Sequence, residues 1–157
     1  MDLFYCYIDD SNVKNKYVLQ HNTGIKLTEY VAKNIYNVEN TEVEIINNKP
    51  QFKNSDKQFN ISHSKNVVLV CFDDNPVGVD IEYIKPRDYI ELAKRMGFKL
   101  KERTLEEFYI FWTQYEAEYK LGFKSKDIRS KNFLNEYILS VASTKQILEL
   151  NIKEIKL

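Results

Sequence analysis

The stretch at residues 67–82 constrains the fold more than any other part of the chain. It opens with a continuous apolar run at residues 67–72 and passes through Asp-Asp-Asn-Pro at residues 73–76, residue types that favour a turn. It ends in strict alternation of apolar and polar residues, and the whole pattern predicts a β-hairpin. Because side chains two positions apart on a strand point to the same side, Asp80 and Glu82 are expected to share one face.

The longest predicted helix covers residues 105–121. Thr104 followed three residues later by Glu107 is the pattern of a capping box, and Gly122 is a residue type that favours a helix end. Apolar residues recur along this segment at helical spacing, so they are predicted to face the core. They are Leu105, Phe108, Trp112, Tyr115 and Tyr119.

Shorter elements fill the rest of the chain, and the predicted fold class is α+β. Apolar patterns predict strands at residues 3–8, 42–46 and 137–142, helices at 26–37 and 88–96, and a final apolar alternation at 147–155. Turns are predicted at 9–12 and 47–50, and a short stub at 59–61 precedes a predicted Ser-His-Ser loop. The Lys-, Asn- and Ser-rich residues before 137 carry no predicted element.

Composition excludes several classes of protein. Acidic and basic residues balance at 23 each, so no overall field draws the chain to nucleic acid or to an anionic membrane. With 4 glycines and 3 prolines, the chain cannot assemble a Gly-rich phosphate loop of the Rossmann or P-loop type. Cys6 and Cys71 lie in apolar runs, which is typical of buried reduced thiols in a cytoplasmic protein. No targeting signal and no apolar window of membrane-spanning length is recognisable.

A small set of polar residues in apolar surroundings is a candidate for chemistry. They are Ser62, His63, Ser64, Asp80, Glu82, Glu116 and Lys120. Carboxylates brought together repel one another unless a cation lies between their oxygens. Mg²⁺ prefers oxygen ligands and bridges substrate phosphates, so Asp80, Glu82 and Glu116 together predict phosphate chemistry rather than zinc hydrolysis. Lys120 follows Glu116 by one helical turn and is placed to meet a phosphate.

Residue patterns alone leave simpler interpretations open. An acid pair at the end of a hairpin is commonly a solvated face, and Glu116 with Lys120 is commonly a surface ion pair contributing about 0.3–0.5 kcal/mol. His63 is equally well interpreted as a loop residue that is hydrogen-bonded to its neighbours. Cys71 and Trp112 are interpreted as core residues.

Three motifs in a fixed order favour the phosphate interpretation. They are NISHS at residues 60–64, VGVDIE at 77–82 and FWTQYEAEYKLG at 111–122. Together they resemble the signature of the 4'-phosphopantetheinyl transferases of the surfactin-synthetase-activating type, which is a Ser-His loop, a G-[IV]-D-x-E strand and a W-x-x-K-E-[AS]-x-x-K helix. The NKP turn at 48–50 is similar to the family's Gly-Lys-Pro turn, and the resemblance extends over residues 26–122. The small trimeric holo-acyl-carrier-protein synthases begin instead with the acidic strand.

The resemblance implies a fold of two similar, pseudo-symmetric lobes, each with a small antiparallel sheet packed on a long helix. The chain is then a short member of this type and a single domain at residues 1–157. Its first lobe covers about residues 1–84 and its second about residues 85–157. A monomer is expected.

The implied activity is transfer of 4'-phosphopantetheine from coenzyme A to a serine of an apo acyl or peptidyl carrier protein. The reaction releases 3',5'-ADP and depends on Mg²⁺. No nucleic-acid or membrane partner is expected, and the location is cytoplasmic. The carrier would serve fatty acid, polyketide or nonribosomal peptide biosynthesis, and the resemblance does not choose among them.

The family's site residues carry over onto matching positions. Asp80, Glu82 and Glu116 match the acidic positions that hold Mg²⁺, and Glu116 is the most plausible acceptor of the serine proton. Lys120 matches the lysine that meets the pyrophosphate, and His63 would stabilise the transferring group together with it.

Two further positions match residues that bind coenzyme A. Ser62, with His63, matches the loop that contacts the phosphates of coenzyme A, and Lys49 matches the turn that approaches its adenine nucleotide.

The chain also departs from the family pattern. Tyr115 stands where the family carries a lysine before the glutamate, and the segment before Lys26 lacks a recognisable match to the family's basic clamp. The glycine-containing loop after Gly122 is replaced by FKSKDIRSKNF. Two alternatives therefore stay open: a non-catalytic relative that binds coenzyme A or a carrier protein, and a Mg²⁺-dependent phosphohydrolase that uses the same acids.

Overall fold

The chain forms small β-sheets and helices, which the structure, a computed structural model, describes for residues 1–9, 11, 13–47 and 49–157. The strands are β1 (Asp2–Tyr7), β2 (Val43–Ile46), β3 (Lys49–Phe52), β4 (Gln58–Ser64), β5 (Val67–Asp73), β6 (Val77–Tyr83), β7 (Asp127–Phe133), β8 (Tyr137–Ser143) and β9 (Asn151–Glu154). The helices are α1 (Lys16–Asn34), α2 (Tyr89–Met96) and α3 (Leu105–Leu121). The predicted α+β class is confirmed.

The strands form two larger sheets and a separate hairpin. One sheet has the order β4-β5-β1-β9, the other has the order β6-β8-β7, and β2 pairs with β3. The three-stranded sheet is antiparallel throughout. In the four-stranded sheet β9 runs parallel to β1, so this sheet is mixed where the resemblance implied an antiparallel one. Helix α1 packs on β5 and β4, whereas α3 packs on β6 and β8.

Strand β5 explains how these parts stack. Val68 and Phe72 pack in one core cluster with Leu27 of α1. The alternate residue Leu69 packs in a second cluster with Val79 of the other sheet. A strand that is buried on both faces needs apolar residues throughout, which is why residues 67–72 form a continuous apolar run. The order of layers is therefore α1, four-stranded sheet, three-stranded sheet, α3.

The predicted hairpin at residues 67–82 is wrong, although both of its strands are present. β5 lies between β4 and β1, so both of its edges are already hydrogen-bonded when the chain turns. β6 instead crosses to the other sheet and pairs with β8. The apolar pattern predicted two strands correctly, but a pattern along the chain does not specify the partner of each strand.

Several predicted boundaries also differ from the structure. The predicted Ser-His-Ser loop is the end of β4, and the predicted turn at 47–50 includes the first residues of β3. β7 was unpredicted because its residues are mostly polar and it lies at a sheet edge. Helix α1 covers residues 16–34 rather than 26–37, since Tyr17, Val18 and Leu19 are consecutive and do not show the three- and four-residue spacing that marks a helix. Asp10, Asn12 and Asn48, which belong to the predicted turns, lie outside the described residues.

Helix α3 confirms the predicted ends but not the whole predicted stripe. Thr104 Oγ1 accepts a hydrogen bond from the Glu107 amide at 3.1 Å, and Gly122 has the left-handed φ of 72° that favours glycine. Tyr115 and Tyr119 are exposed, although they were predicted to face the core. The residues that are buried are Phe108, Tyr109, Thr113, Ala117 and Leu121. Helix α2 begins and ends as predicted, between Asp88 and Gly97.

Within the described ranges, no helix has both the length and the apolar character that crossing a membrane requires.

Candidate functional site

Gly78 brings β6 unusually close to α3. A Cβ atom at this position would lie 2.0 Å from the carbonyl oxygen of Ala117 and 2.5 Å from the Leu121 nitrogen. These are backbone atoms, so the contact could not be relieved by a side-chain rotation. The absence of a side chain at Gly78 therefore lets the acidic residues of β6 reach the polar residues of α3.

Asp80 and Lys120 form a buried ion pair across this contact. Lys120 Nζ donates to Asp80 Oδ1 at 2.8 Å and to the Val79 carbonyl at 3.2 Å. The Asp80 side chain is 7% exposed and that of Lys120 is 28% exposed. Burial raises the pKa of Asp80, and the charge of Lys120 opposes that effect. The simpler interpretation of Glu116 and Lys120 as a surface ion pair does not describe the principal contact of Lys120, because its ammonium binds Asp80.

Three side chains of β4 join this strand to β6. Asn60 Oδ1 accepts from the Val79 amide at 2.8 Å, and Ser62 Oγ accepts from the Ile81 amide at 3.2 Å. Ser64 Oγ continues the series by accepting from the next alternate amide of β6, at 2.9 Å. β4 and β6 are edge strands of different sheets. Side-chain acceptors therefore replace the backbone carbonyls of an ordinary strand ladder at this junction.

The Ser62 hydroxyl connects this junction to the ion pair. It donates to Asp80 Oδ1 at 3.0 Å and accepts from Lys120 Nζ at 3.0 Å, in addition to the Ile81 amide. One donor and two acceptor positions are all that a hydroxyl offers. Ser62, which the resemblance assigned to coenzyme A phosphates, thus has its full hydrogen-bonding capacity used within the protein.

Glu82 and Glu116 extend the acidic part of the site. Glu82 Oε2 accepts from Ser64 Oγ at 3.0 Å, and Glu116 is half-buried on α3. Burial raises the pKa of each glutamate, and the charge of Asp80 raises both further. The charge of Lys120 acts in the opposite direction on both groups. Each glutamate therefore lies within electrostatic reach of Asp80 and of Lys120.

One oxygen of these acids is well suited to bind a hard divalent cation. Asp80 Oδ2 is buried and has no hydrogen-bond partner in the described part of the chain. A buried, unpartnered carboxylate oxygen is suited to coordinate a cation such as Mg²⁺. The described residues nevertheless contain no group of three His, Cys, Asp or Glu side chains close enough together to hold a metal ion. The predicted three-acid ligand set stays a prediction.

His63 faces away from Ser62, because alternate side chains of β4 point to opposite sides. Its ring contacts Tyr17 of α1 edge-on, with the ring centroids 6.0 Å apart. Burial lowers the pKa of His63, and the positive charge of Lys120 lowers it further. The imidazole is therefore predominantly neutral near pH 7, and it offers a hydrogen bond rather than a full charge.

Lys49 lines a cleft beside Lys120. The cleft has a volume of about 490 Å³ and lies between the β2–β3 hairpin, Asn60 and the last turn of α3. Lys49 itself is 8% exposed, and its Nζ donates to the carbonyls of Val77 at 2.5 Å and Leu121 at 3.4 Å. Burial lowers the pKa of Lys49 to about 8. The ammonium group of Lys49 thus links the β2–β3 hairpin to β6 and α3 by hydrogen bonds. The cleft beside it has room for a ligand.

Tyr115 lies beside Phe98, with the ring centroids 6.1 Å apart. Its side chain is 48% exposed. The tyrosine that replaces the family's lysine is therefore part of an aromatic contact between α3 and the segment after α2.

Sequence reasoning missed the roles of Asn60, Ser64 and Gly78. The signal for the first two was the alternation of polar residues at 60, 62 and 64, which is typical of a strand with one polar face. A glycine inside the strand pattern at 77–82 was the signal for a close backbone approach.

No protein-family model matches the chain. Curated relatives do: the 4'-phosphopantetheinyl transferase Sfp of Bacillus subtilis (strain 168) is 38% identical over 71 residues, which are 40% of this chain and 31% of the relative. A 4'-phosphopantetheinyl transferase of Bacillus subtilis is 31% identical over 87 residues, 50% of this chain and 38% of the relative. The 4'-phosphopantetheinyl transferase psf-1 of Bacillus pumilus is 33% identical over 96 residues, 55% of this chain and 39% of the relative.

The chain thus spans less than half the length of the curated relatives it matches. All three relatives carry the same enzyme name, which agrees with the motifs at residues 60–64, 77–82 and 111–122. The resemblance is confirmed: over about half of its length the chain is similar to 4'-phosphopantetheinyl transferases, including one of the surfactin-synthetase-activating type.

Proposed function

We propose that this protein transfers the 4'-phosphopantetheine group of coenzyme A to a serine hydroxyl of an apo acyl or peptidyl carrier protein and releases 3',5'-ADP. The observation that carries the proposal is the Asp80–Lys120 ion pair, which lies beside a cleft of about 490 Å³. A fixed ammonium at the edge of a cleft suits a substrate with several phosphate charges. The names of the three relatives support the same reaction class.

In this proposal the cationic and neutral donors bind the substrate's phosphates. Lys120 neutralises charge on the pyrophosphate, and the neutral imidazole of His63 donates a hydrogen bond to a phosphate oxygen. Ser62 and Lys49 contact coenzyme A by exchanging hydrogen bonds that they now make within the protein. Positioning and charge neutralisation supply most of the catalysis in phosphoryl transfer, so these contacts would lower the barrier directly.

The transfer step needs a proton acceptor. The carrier serine oxygen forms a bond to the phosphorus that bears pantetheine, and the bond from that phosphorus to the bridging oxygen of the pyrophosphate breaks. The bonding electrons leave with 3',5'-ADP. Glu116 accepts the serine proton, directly or through water.

We further propose that Asp80, Glu82 and Glu116 hold Mg²⁺ together with the substrate's phosphates. The unpartnered Asp80 Oδ2 supports this assignment. When bound, Mg²⁺ would neutralise charge on the pyrophosphate. Phosphate oxygens complete the ligand sets of Mg²⁺ in many such sites, so the protein need not gather three carboxylates before the substrate arrives.

The proposed architecture is a monomer of two pseudo-symmetric lobes within one domain, at about residues 1–84 and 85–157. The packing of α1 on one sheet and of α3 on the other supports two helix-on-sheet units. The two ranges exchange strands, because β6 of the first pairs with β8 of the second and β9 of the second pairs with β1 of the first. We also propose a cytoplasmic location, which the buried free thiols Cys6 and Cys71 support.

Variants of the acids test the proposal. Asp80→Asn and Glu116→Gln should each abolish transfer to an apo carrier protein while the circular dichroism spectrum stays unchanged. Glu118→Gln is the matched control, because Glu118 is an exposed acid of the same helix and bonds to Ser125. Full transfer by either site variant would contradict the assigned roles. Tight carrier binding without transfer by the wild type would indicate a binding relative, and product release without any carrier would indicate a phosphohydrolase.

A further inference from the structure

Two serines of β4 make the same pair of hydrogen bonds to β6. Ser62 accepts from the amide of Ile81 and donates to the carboxylate of the preceding residue, Asp80. Ser64 accepts from the amide that follows Glu82, at 2.9 Å, and donates to Glu82 Oε2 at 3.0 Å. Each hydroxyl therefore accepts a hydrogen bond from one backbone amide of β6 and donates one to the carboxylate of the residue that precedes this amide.

This geometry decides where each hydroxyl proton goes. An oxygen that accepts a hydrogen bond from an amide can still donate its own proton, and the nearby carboxylate oxygen is the acceptor. A hydrogen bond to a charged acceptor is stronger than one between neutral groups. The backbone of β6 thus fixes the serine oxygen, and the serine proton in turn fixes the carboxylate.

Glu82 needs such a restraint more than Asp80 does. Asp80 is also held by Lys120, through an ion pair of 2.8 Å. Glu82 has a longer side chain, is half-buried, and experiences repulsion from the charge of Asp80. Lys120 and Arg87 attract the Glu82 carboxylate while Asp80 repels it, and the hydrogen bond from Ser64 at 3.0 Å is the direct contact that fixes its orientation.

We propose that Ser64 is a positioning residue of the site, whose hydroxyl holds the carboxylate of Glu82 beside Asp80. The inference rests on the proposed function for its consequence in catalysis. The orientation of the Glu82 carboxylate by Ser64 does not depend on that function. The alternating side chains of Asn60, Ser62 and Ser64 then act as a template that aligns the acidic strand against α3.

The test combines variants of both residues with two measurements. Ser64→Ala and Ser64→Cys remove the strong hydroxyl donor, Ser64→Thr keeps it, and Glu82→Gln removes the charge that it holds. The first measurement is kcat/KM for transfer to an apo carrier protein. The second is the ¹³C resonance of the Glu82 carboxyl group, assigned by its absence in Glu82→Gln and followed at fixed pH during addition of MgCl₂ alone.

The loss of one hydrogen bond to a charged group predicts that Ser64→Ala and Ser64→Cys lower kcat/KM by about tenfold or more. Ser64→Thr should retain most of the activity. In the Glu82→Gln background Ser64→Ala should cause little further loss, because the group that it positions is already altered. In the wild type the Glu82 resonance should be separate from those of exposed glutamates and respond to MgCl₂. In Ser64→Ala it should move towards the resonances of exposed glutamates.

The two measurements separate the inference from the proposed function. A Glu82 resonance and MgCl₂ response that are unchanged in Ser64→Ala and Ser64→Cys would overturn the positioning role, whatever the activity. Equal losses of kcat/KM from Ser64→Ala in the wild-type and Glu82→Gln backgrounds would overturn it as well. If no carrier protein is modified but the resonance changes in Ser64→Ala and not in Ser64→Thr, the proposed function fails and the positioning role stands. Should Ser64→Ala not fold, Ser64→Cys, which is close to serine in size, provides the same comparison.

Discussion

Lys120 Nζ lies 2.8 Å from Asp80 Oδ1, in an ion pair that joins the last turn of α3 to the middle of β6. The same oxygen of Asp80 accepts from the Ser62 hydroxyl, so three elements meet at one carboxylate oxygen. The other oxygen of Asp80 is buried without a partner in the described residues. The pair therefore contributes to the fold and at the same time leaves one oxygen for a ligand.

The buried pair should show strong coupling in a double-mutant cycle. Lys120→Met alone should lower the free energy of unfolding by about 3 kcal/mol, because it leaves the Asp80 charge buried and unpaired. In an Asp80→Asn background the same substitution should cost much less. The measurement is urea unfolding of the wild type, both single variants and the double variant. Additive effects would show that the two groups do not depend on each other.

Because β6 lies so close to α3 at Gly78, adding one methyl group at this position is expected to destabilise the protein strongly. Gly78→Ala should lower the free energy of unfolding by about 3 kcal/mol, since the new Cβ would overlap backbone atoms of α3. Gly97→Ala is the matched control: nothing lies within 4 Å of the corresponding Cβ, and only the left-handed φ of 72° is unfavourable. Its expected cost is about 1 kcal/mol. Urea unfolding checks both values, and equal costs would contradict the close approach of β6 to α3.

Because Lys49 is buried, the protein is expected to become more stable as the pH rises through the titration range of this lysine. A lysine in an ion pair would have the opposite effect. Burial lowers the pKa of Lys49 to about 8 in the folded protein, from 10.5 when exposed. Between these two values the unfolded chain binds this proton and the folded chain does not, so stability due to Lys49 increases as the pH rises from about 8 to 10.5. Lys49→Met removes this contribution while keeping an unbranched side chain.

The check on Lys49 is the difference in free energy of unfolding between the wild type and Lys49→Met, measured in urea at several pH values. The wild type should gain stability relative to the variant as the pH rises through this window. A difference that stays constant would mean that Lys49 has the same pKa in the folded and unfolded states.

Local patterns predicted the elements of the fold better than their partners. The caps at Thr104 and Gly122 and the strand character of residues 77–82 depend on neighbouring residues, and the structure has them where they were expected. The pairing of β6 with β8 depends on which sheet edges remain available after the chain has folded. That information is absent from the pattern of residues 67–82, and the predicted hairpin was wrong for this reason.

The sequence predicted which residues form the candidate site better than it predicted which of them contact one another. The three motifs pointed to Asp80, Glu116 and Lys120, and the structure brings these groups within electrostatic reach. It could not be foreseen that Lys120 pairs with Asp80, because the contact depends on how closely β6 approaches α3. The structural use of Ser64 was also missed, since residues 62–64 were expected to form a loop rather than the end of a strand. Asn60 was placed in a short stub, so its contact with β6 was missed as well.

The most direct test of the proposed transfer is the intact mass of an apo acyl carrier protein after incubation with this protein, coenzyme A and Mg²⁺. A parallel sample contains EDTA, and a third replaces the wild type with Glu116→Gln. The carrier should gain the mass of one phosphopantetheine group in the first sample only. An unchanged carrier mass across several acyl and peptidyl carrier proteins, with folded protein and saturating coenzyme A, would contradict it.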